Sequence, residues 1–510
     1  MKQFALPVAK RALILSDRQG FARRWFAPNL QAVLVPPQRD QVAACVTAAL
    51  STYGKAVKVT SGRHCYEDFV YNANTLAIID MTALNQAGYD ERRQAFFVDA
   101  GCECWGVYRL LLNGWGKTLS AGSCASVGMG GHIAGGGYGL LSRLHGLTID
   151  HLSGVEIVTW DANSKQAQLR YVSGNSASAA ERDLFWALCG AGGGNFGVIV
   201  RYYFDQLPDA PAYASIWHAS WNWANISPAA LAHLLAAYAD LVQQMPESDF
   251  TLLKLNHVAA GKINLIMQMA SRPDASFAGH CAHVASSIAK ALACFAQLLP
   301  EHSVQHLTYL EALQTLNGCG PNQFGKYKSA YMNKPFPANQ VVAIYHWLHS
   351  TPPGIDAAAM QQSLLQVDSY GGAINRRAAH ETAVPQRSAI MKLQYQTYWN
   401  NAAEPGQNHL PAYQAQQHAH LEWIESFYRA VYAEYGGTPD PRHDPTGTVD
   451  GAYYNYPDVA LGNHLDGKID SALWLYFLDN YRNHARNLVQ VKQQWDPENY
   501  FHHGQSIPVR

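Results

Sequence analysis

The chain of 510 residues is 48% hydrophobic and 15% charged, which is enough apolar sequence for a large core divided between at least two domains. Its formal net charge is −1, with both signs spread along the sequence, so it lacks the basic patch that nucleic-acid binding requires. Because it also lacks an apolar run of about 18 residues, we expect no membrane-spanning helix.

The amino-terminal stretch and the cysteines indicate the compartment. Between the charged residues of this stretch, only residues 12–15 are apolar, which is too short for a signal peptide. The removal of a leader before residue 1 stays an open alternative. The nine cysteines are an odd number and form no C-x-x-C pair typical of zinc ligands. We therefore expect mostly reduced thiols in a cytoplasmic protein.

The amino-terminal part of the chain has an α/β pattern. A short apolar strand near residue 32 is followed by a helix that Pro36 and Pro37 introduce and Gly54 ends. A β-branched strand over residues 56–60 completes a β-α-β unit. Further along, the pattern predicts strands over residues 76–81, 96–100 and 149–160, and a helix over residues 104–112 closed by Asn113-Gly114.

Residues 61–64, Ser-Gly-Arg-His, form the loop after the strand that ends at residue 60. Loops at the ends of strands are where α/β folds place their ligands. This loop is therefore the first candidate for a binding site.

A glycine-rich stretch over residues 120–151 is the second candidate. Glycine at this density allows positive φ angles and close backbone approach to a flat or anionic ligand. Cys124 and His132 stand among these small residues, where backbone N–H groups favour thiolate character. Taken alone, their spacing also fits a buried structural cysteine and a core histidine. The glycines of the stretch are residues 122, 128, 130, 131, 135, 136, 137, 139 and 146.

A second glycine run, residues 190–200, precedes a change in composition near residues 204–211. No Gly-Lys-Ser/Thr follows the run, and no G-x-G-x-x-G opens a helix, so a phosphate loop is excluded. From residue 212 to 450, strands alternate with helices, which predicts an α+β domain whose antiparallel sheet is covered by helices on one face.

Three short pieces of this later region present polar side chains. Period-two spacing places Gln366, Asp368 and Tyr370 on one face of a strand, and residues 392, 394 and 396 on one face of another. The third piece, residues 451–458, reads Gly-Ala-Tyr-Tyr-Asn-Tyr-Pro-Asp. A helix is predicted over residues 478–494. The histidine pairs 418/420 and 502/503 have no flanking carboxylate trio, so we predict no metal site.

The loop at residues 61–71, the glycine-rich stretch and the ending Asp-Pro-Glu-Asn-Tyr-Phe-His-His-Gly-Gln-Ser-Ile-Pro together resemble the FAD-linked oxidases of the vanillyl-alcohol oxidase superfamily, in particular the berberine-bridge-enzyme-like branch. The residues of these motifs are most similar to those of bacterial enzymes that oxidise sugars or tailor antibiotics. The resemblance implies a two-domain α+β fold with a PCMH-type FAD-binding domain in residues 1–207, a substrate domain in residues 208–450, and a return to the FAD-binding domain in residues 451–510.

The same resemblance implies FAD bound covalently at two points, His64 on the flavin 8α-methyl and Cys124 on carbon 6. Arg63 stands where the family commonly has a second glycine, so it contacts the FAD pyrophosphate or points to solvent. His132 would bond the flavin, and Val127 matches a position that admits dioxygen. Implied cofactor contacts are Ser61, Gly62, Arg63, Cys65, Tyr66, Val127, Gly128, Gly131, His132, Tyr138, Gly197, Val198, Tyr456 and Asn499.

For catalysis, the resemblance implies Tyr456 as the base, assisted by Tyr370, with Tyr453 binding substrate and Gln394 presented above the flavin. A tyrosine serves as a base only when a neighbouring donor or positive charge favours its phenolate. The expected reaction oxidises an alcohol or hemiacetal of a sugar, glycoside or other natural product, and dioxygen becomes hydrogen peroxide.

Three other interpretations stay open at this point. The first is an oxidative cyclase or desaturase of secondary metabolism, the second a dehydrogenase with another acceptor, and the third a flavin-binding protein without turnover. The tyrosine set argues against a mere carrier, which has no use for polar groups over the flavin. The sequence leaves the substrate and the oligomeric state unspecified.

Overall fold

The structure, a computed structural model, describes residues 13–320, 322–399 and 411–509. Residues 1–12 of the stretch judged for a signal peptide lie outside the described residues. Up to residue 204 the strands are β1 (Ala32–Leu34), β2 (Val57–Thr60), β3 (Ala77–Asp80), β4 (Ala87–Asp90), β5 (Ala95–Asp99), β6 (Gly154–Asp161), β7 (Gln166–Val172) and β8 (Val198–Phe204). The helices of this part are α1 (Val42–Tyr53), α2 (Cys104–Trp115), α3 (Met129–Ala134), α4 (Ser142–His145) and α5 (Ala179–Leu188).

These strands form two sheets. A parallel sheet has the order β1-β3-β2, and an antiparallel sheet has the order β4-β5-β8-β6-β7. The predicted β-α-β unit is confirmed, with Gly54 ending α1, although β3 inserts between its two strands. The predicted stop at Asn113-Gly114 is wrong, because α2 continues to Trp115, and Gly116 with a φ of 63° provides the left-handed cap.

The next part of the chain supplies a second group of elements. Its strands are β9 (Ala214–Asn222), β10 (Asp249–Asn256), β11 (Lys262–Ala270), β12 (Glu301–Gln305), β13 (Phe324–Met332), β14 (Leu364–Ser369) and β15 (Met391–Trp399). Its helices are α6 (Pro228–Gln244), α7 (Phe277–Cys294), α8 (Tyr309–Thr315), α9 (Ala338–Leu348) and α10 (Pro411–Val431).

All seven of these strands join one antiparallel sheet in the order β12-β9-β11-β10-β14-β15-β13. Alternate residues of each strand point to opposite faces. On β15, Tyr395 packs against Phe427 and Tyr428 of α10, whereas its neighbours Gln394 and Gln396 line a cavity on the other face. The predicted antiparallel sheet with helices on one face is therefore confirmed.

The chain then returns to the first part. The closing helices are α11 (Ile469–Phe477), α12 (Asp479–Arg482) and α13 (Leu488–Trp495), and α13 packs against α5. The single helix predicted over residues 478–494 is wrong, because residues 483–487 leave the helical conformation and divide it into α12 and α13, with Asn487 capping the start of α13. Lys492 Nζ donates to the Asn195 carbonyl at 2.7 Å, which ties this segment to the second glycine run. No helix of the described residues is long and apolar enough to cross a membrane.

Candidate active site

A cavity of about 580 Å³ lies between the glycine-rich loops and the open face of the seven-stranded sheet. The structure brings most of the predicted site residues to its walls, although they come from both ends and the middle of the sequence. Those lining it are Ser61, Gly62, Arg63, His64, Cys65, Tyr66, Cys124, Val127, Gly128, Gly131, His132, Tyr138, Gly197, Gln394, Tyr453 and Tyr456.

Three predicted residues do not line this cavity. The shared face predicted for Gln366, Asp368 and Tyr370 is wrong at Tyr370, because β14 ends at Ser369 and Gly371 turns the chain with φ 90°. Tyr370 is fully buried, which leaves it no contact with a substrate in the cavity. Val198 is buried within β8, and Asn499 occupies a left-handed turn outside the lining.

His64 is held as a neutral imidazole. It stacks on Phe21 with ring centroids 4.5 Å apart, and its Nε2 hydrogen-bonds Ser126 Oγ at 2.9 Å. Burial lowers the pKa of His64 to about 4. The ring is therefore uncharged at neutral pH, and Nδ1 is the nitrogen left for bonding to a carbon atom.

Cys124 is bonded to another cysteine in this structure. It forms a disulfide with Cys319, which lies 195 residues further along the chain. The other described cysteines are free, in keeping with the expectation of mostly reduced thiols. This pair could not be predicted from the sequence, since Cys319 belongs to no recognisable motif.

His64, Cys124 and Cys319 each offer a ligand atom within 4.8 Å of the others. Among the described residues, this is the one group whose spacing would suit a metal ion. Its two sulfur atoms are joined to each other, so it does not present a set of open ligands.

Arg63 lines the cavity, and its guanidinium forms an ion pair with Asp80 and donates to the Ser16 carbonyl, so it does not simply point to solvent. Contact with the FAD pyrophosphate stays a prediction. Its φ of 61° lies in the left-handed region, where glycine is favoured. Arg63 therefore ties the loop to the parallel sheet.

The two glycine-bearing loops are in close contact. A Cβ on Gly62 would lie 2.2 Å from the backbone nitrogen of Gly128, so no side chain fits between the loops. Gly131 lines the cavity with open space beside it. His132 accepts a hydrogen bond from the Gly122 N–H at Nε2, 2.9 Å away, and burial with the nearby Lys392 charge lowers its pKa to about 4.

This arrangement fits FAD. The flavin 8α-methyl and carbon 6 lie on one edge of the ring, so two anchors that lie within 4.8 Å of each other can reach both. The glycine loops supply a flat backbone wall along the cavity. Its far end is lined by the second glycine run, His502 and His503, with the Lys58 amine donating to the His502 carbonyl at 2.6 Å.

Tyr456 lies beside a buried ion pair. Lys392 Nζ is 3.4 Å from the Tyr456 hydroxyl and 4.4 Å from the centre of its ring, and it pairs with Asp368 Oδ2 at 2.9 Å. Burial, followed by the Asp368 charge, raises the pKa of Tyr456 well above its usual value. The phenol is protonated at rest, and Lys392 is the neighbouring cation that stabilises its phenolate.

A chain of polar side chains continues from Tyr66 across the sheet. Gln394 Nε2 donates to the Tyr66 hydroxyl at 3.3 Å, Gln396 donates to Gln394 at 3.1 Å, and the Tyr398 hydroxyl donates to Gln396 at 2.8 Å. Tyr66 itself stacks on Tyr327 with ring centroids 3.8 Å apart. This network holds the side chains in fixed orientations.

Sequence reasoning missed several residues that line the cavity or touch its tyrosines. Asp368 and Lys392 had been placed on polar strand faces but not in the site. Lys254 shares a register row with Gln366 and Gln394, yet an isolated lysine on a strand usually indicates solvent. The residues without a motif of their own are His218, Lys254 and Asn317.

Family models match two parts of the chain. One described as FAD binding domain matches residues 30–166, and one described as Berberine and berberine like matches residues 452–508. The chain is 38% identical to the hexose oxidase of Chondrus crispus, over 97% of this chain and 93% of that protein. It is 32% identical to the aclacinomycin-N/aclacinomycin-A oxidase of Streptomyces galilaeus, over 98% of this chain and 90% of that one.

Two solved structures extend the similarity. A glycopeptide hexose oxidase complexed with teicoplanin matches with a TM-score of 0.80 and 30% identity, over 96% of this chain and 95% of that chain. GilR, an oxidoreductase that catalyses the terminal step of gilvocarcin biosynthesis, matches with a TM-score of 0.84 and 28% identity, over 96% and 97%. Both similarities extend over nearly the whole length of this chain.

Proposed function

The chain belongs to the berberine-bridge-enzyme-like FAD-linked oxidases, and we propose that it oxidises an alcohol or hemiacetal carbon of a sugar or sugar-bearing natural product. The observation that carries the proposal is the polar sheet face opposite the flavin loops. Lys254, Gln366, Asp368, Gln394 and Gln396 offer the amines, amides and carboxylate that bind sugar hydroxyls.

We propose that FAD is attached through both His64 and Cys124. The neutral imidazole of His64 supports the first bond, and the position of Cys124 within 4.8 Å of it supports the second. Bound FAD supplies the acceptor for the substrate hydride and passes the electrons to dioxygen, so hydrogen peroxide is the second product.

Tyr456 is the proposed base. Its phenolate form, which arises when the phenol loses its proton beside Lys392, takes the proton of the substrate hydroxyl as the hydride leaves the adjacent carbon. Lys392 holds the phenolate by its charge, and Asp368 balances the lysine when the tyrosine is protonated. Tyr453, whose ring centre lies 5.0 Å from that of Tyr456 and whose hydroxyl accepts from Asn455, positions the substrate.

The sugar lies across the polar network of Tyr66, Gln394 and Gln396. Beside this network, Phe250, Leu252 and Ile266 form an apolar strip on the same sheet face. Such a strip suits the apolar face of a sugar ring or the aglycone attached to it. This mixture favours oxidation of a sugar over ring closure on a wholly apolar alkaloid.

The test begins with the absorption spectrum and intact mass of the purified protein, before and after acid precipitation. Yellow colour in the pellet and a mass raised by one FAD are expected. Peroxide release is then measured with free hexoses, disaccharides and aromatic glycosides. His64→Ala and Cys124→Ala should each keep the flavin through the remaining bond. Colourless protein of unmodified mass would contradict covalent attachment, and absent peroxide release with every sugar would contradict the substrate class.

A further inference from the structure

Cys319 lies at the flavin site although it comes from a distant part of the sequence. It belongs to the loop between α8 and β13, which crosses from the sheet to the turn that contains Cys124. The two Cα atoms are 4.9 Å apart, and the sulfur atoms form a disulfide. A disulfide sulfur carries no S–H group, so Cys124 in this state cannot form a bond to carbon 6 of the flavin.

We infer that Cys319 is a second reactive cysteine of this site, which forms a reversible disulfide with Cys124 in the flavin-free chain and must be displaced by a thiol reductant before the second flavin bond forms. The inference rests on the proposed attachment through Cys124. Cys319 thus competes with the flavin for the sulfur atom of Cys124.

Contacts around the disulfide hold the two cysteines together independently of the bond. Asn317 Oδ1 accepts from the Ala125 N–H at 3.0 Å and from the Cys319 N–H at 3.2 Å. Ser126 Oγ lies 3.2 Å from Cys319 Sγ and 2.9 Å from His64 Nε2. The loop therefore stays against the Cys124 turn when the disulfide is reduced, and the bond can form again.

Access separates this pair from the buried cysteines. Cys124 and Cys319 are both only partly buried, so a small thiol can reach them. Cys45, Cys102 and Cys104, in contrast, are buried, and burial raises the pKa of each to about 12. At neutral pH these three thiols stay protonated and enclosed, so they do not take part in exchange with the pair at the flavin site.

Reduction of the disulfide, bonding of the flavin and re-formation of the disulfide require only a small thiol, dioxygen and hydrogen peroxide. Two thiol molecules reduce the disulfide to two protein thiols and leave as one small-molecule disulfide. Bonding of the Cys124 sulfur to carbon 6 then replaces one S–H and one C–H bond, and the two electrons and two protons released pass to dioxygen as hydrogen peroxide. In a flavin-free chain, hydrogen peroxide oxidises the two thiols to the disulfide and becomes two molecules of water.

The experiment uses the full chain produced in flavin-limited cells and then incubated with FAD, with or without dithiothreitol. Peptide mapping after alkylation reports the state of Cys124 as disulfide, free thiol or flavin adduct. Without reductant, wild type should carry FAD on His64 only and yield the cross-linked peptide of Cys124 and Cys319. With reductant, the flavin adduct on Cys124 should appear.

Cys319→Ser is the decisive variant, and Cys281→Ser, which changes a partly buried free cysteine elsewhere, is its control. Cys319→Ser should form both flavin bonds without reductant, whereas Cys281→Ser should behave as wild type. Two results would contradict the inferred disulfide. One is that unreduced wild type forms the second flavin bond as fast as Cys319→Ser, and the other is that Cys124 of unreduced wild type is alkylated in the flavin-free chain. If Cys124 never bonds FAD in reduced Cys319→Ser, the second covalent bond itself is wrong.

Discussion

The two walls of the cavity are built in different ways. The flavin wall consists largely of backbone from two contiguous segments, residues 61–66 and 120–139, with few side chains that carry chemistry. The substrate wall consists of side chains from strands β9, β10, β11, β14 and β15, which are widely separated in sequence but adjacent in one sheet.

This difference separates cofactor binding from substrate choice. A backbone wall changes little when a surface side chain is replaced, because its N–H groups and close glycine contacts stay in place. A side-chain wall changes with every substitution on the sheet face. Mutations on the flavin wall, apart from the two anchors, should therefore affect stability, and those on the substrate wall should affect turnover and specificity.

The largest effect is expected from Tyr456→Phe. Loss of the base should reduce turnover by roughly 10²- to 10⁴-fold, since that is the usual contribution of a general base. The flavin spectrum should stay unchanged, because the anchors are untouched. Stopped-flow reduction of the flavin by the best sugar measures the step directly. Tyr398→Phe, at another tyrosine of the same cavity, is the control, and equal loss in both variants would remove Tyr456 as the base.

A smaller loss is expected from Lys392→Met. Removal of the cation beside the phenolate should lower flavin reduction by roughly 10²-fold at neutral pH. Burial already raises the pKa of Tyr456, and loss of the lysine charge raises it further, so the reduction rate should begin to rise only at higher pH.

The pH profile of flavin reduction distinguishes this role from a structural one. In Lys392→Met the rising limb should move to higher pH, whereas Lys392→Arg should restore much of the wild-type profile because it keeps the charge. A uniform loss at every pH in Lys392→Met, with no rescue by arginine, would show that Lys392 only supports the packing.

Lys254→Met tests the substrate wall further from the reacting carbon. Loss of one charged hydrogen bond to the sugar should raise KM roughly tenfold with little change in kcat. Steady-state peroxide release measures both constants. Lys262→Met, on the neighbouring strand β11 and exposed, is the matched control. An unchanged KM in Lys254→Met would place the sugar away from this part of the sheet.

The smallest effect on catalysis is expected from Arg63→Gly on the flavin wall. The change relieves about 1 kcal/mol of left-handed strain but leaves the buried Asp80 without its cation, which costs about 3 kcal/mol. The unfolding midpoint should therefore fall while covalent flavin content and turnover stay near wild type.

Lys165→Gly is the control for the strain term. Lys165 also has a left-handed φ, 52°, but it is exposed and forms no ion pair within the described residues. This variant should be as stable as wild type or slightly more stable. If Arg63→Gly keeps its unfolding midpoint but loses flavin, Arg63 contacts the cofactor rather than the sheet.

Features of the fold that depend only on neighbouring residues could be predicted from the sequence, and turns that interrupt a regular pattern could not. Strand β15 and the helix α1 were predicted because their periodicity depends only on neighbouring residues. The interruption between α12 and α13 was missed because the mostly polar residues 483–487 also fit the solvent-facing side of one continuous helix. Tyr370 was misplaced because β14 ends one residue earlier, at Ser369, and the turn at Gly371 leaves the alternation of polar residues intact.

The sequence by itself determined the family, the flavin loops and the polar strand faces. Each of these features is formed by residues adjacent in the sequence, and their spacing follows from local backbone geometry. Only the tertiary structure decided that Lys392 and Asp368 stand beside Tyr456, that Lys254 joins the same wall, and that Cys319 reaches Cys124. These contacts join residues far apart in the chain, and they exist because strands distant in sequence pair in one sheet and loops from both walls meet at the cavity.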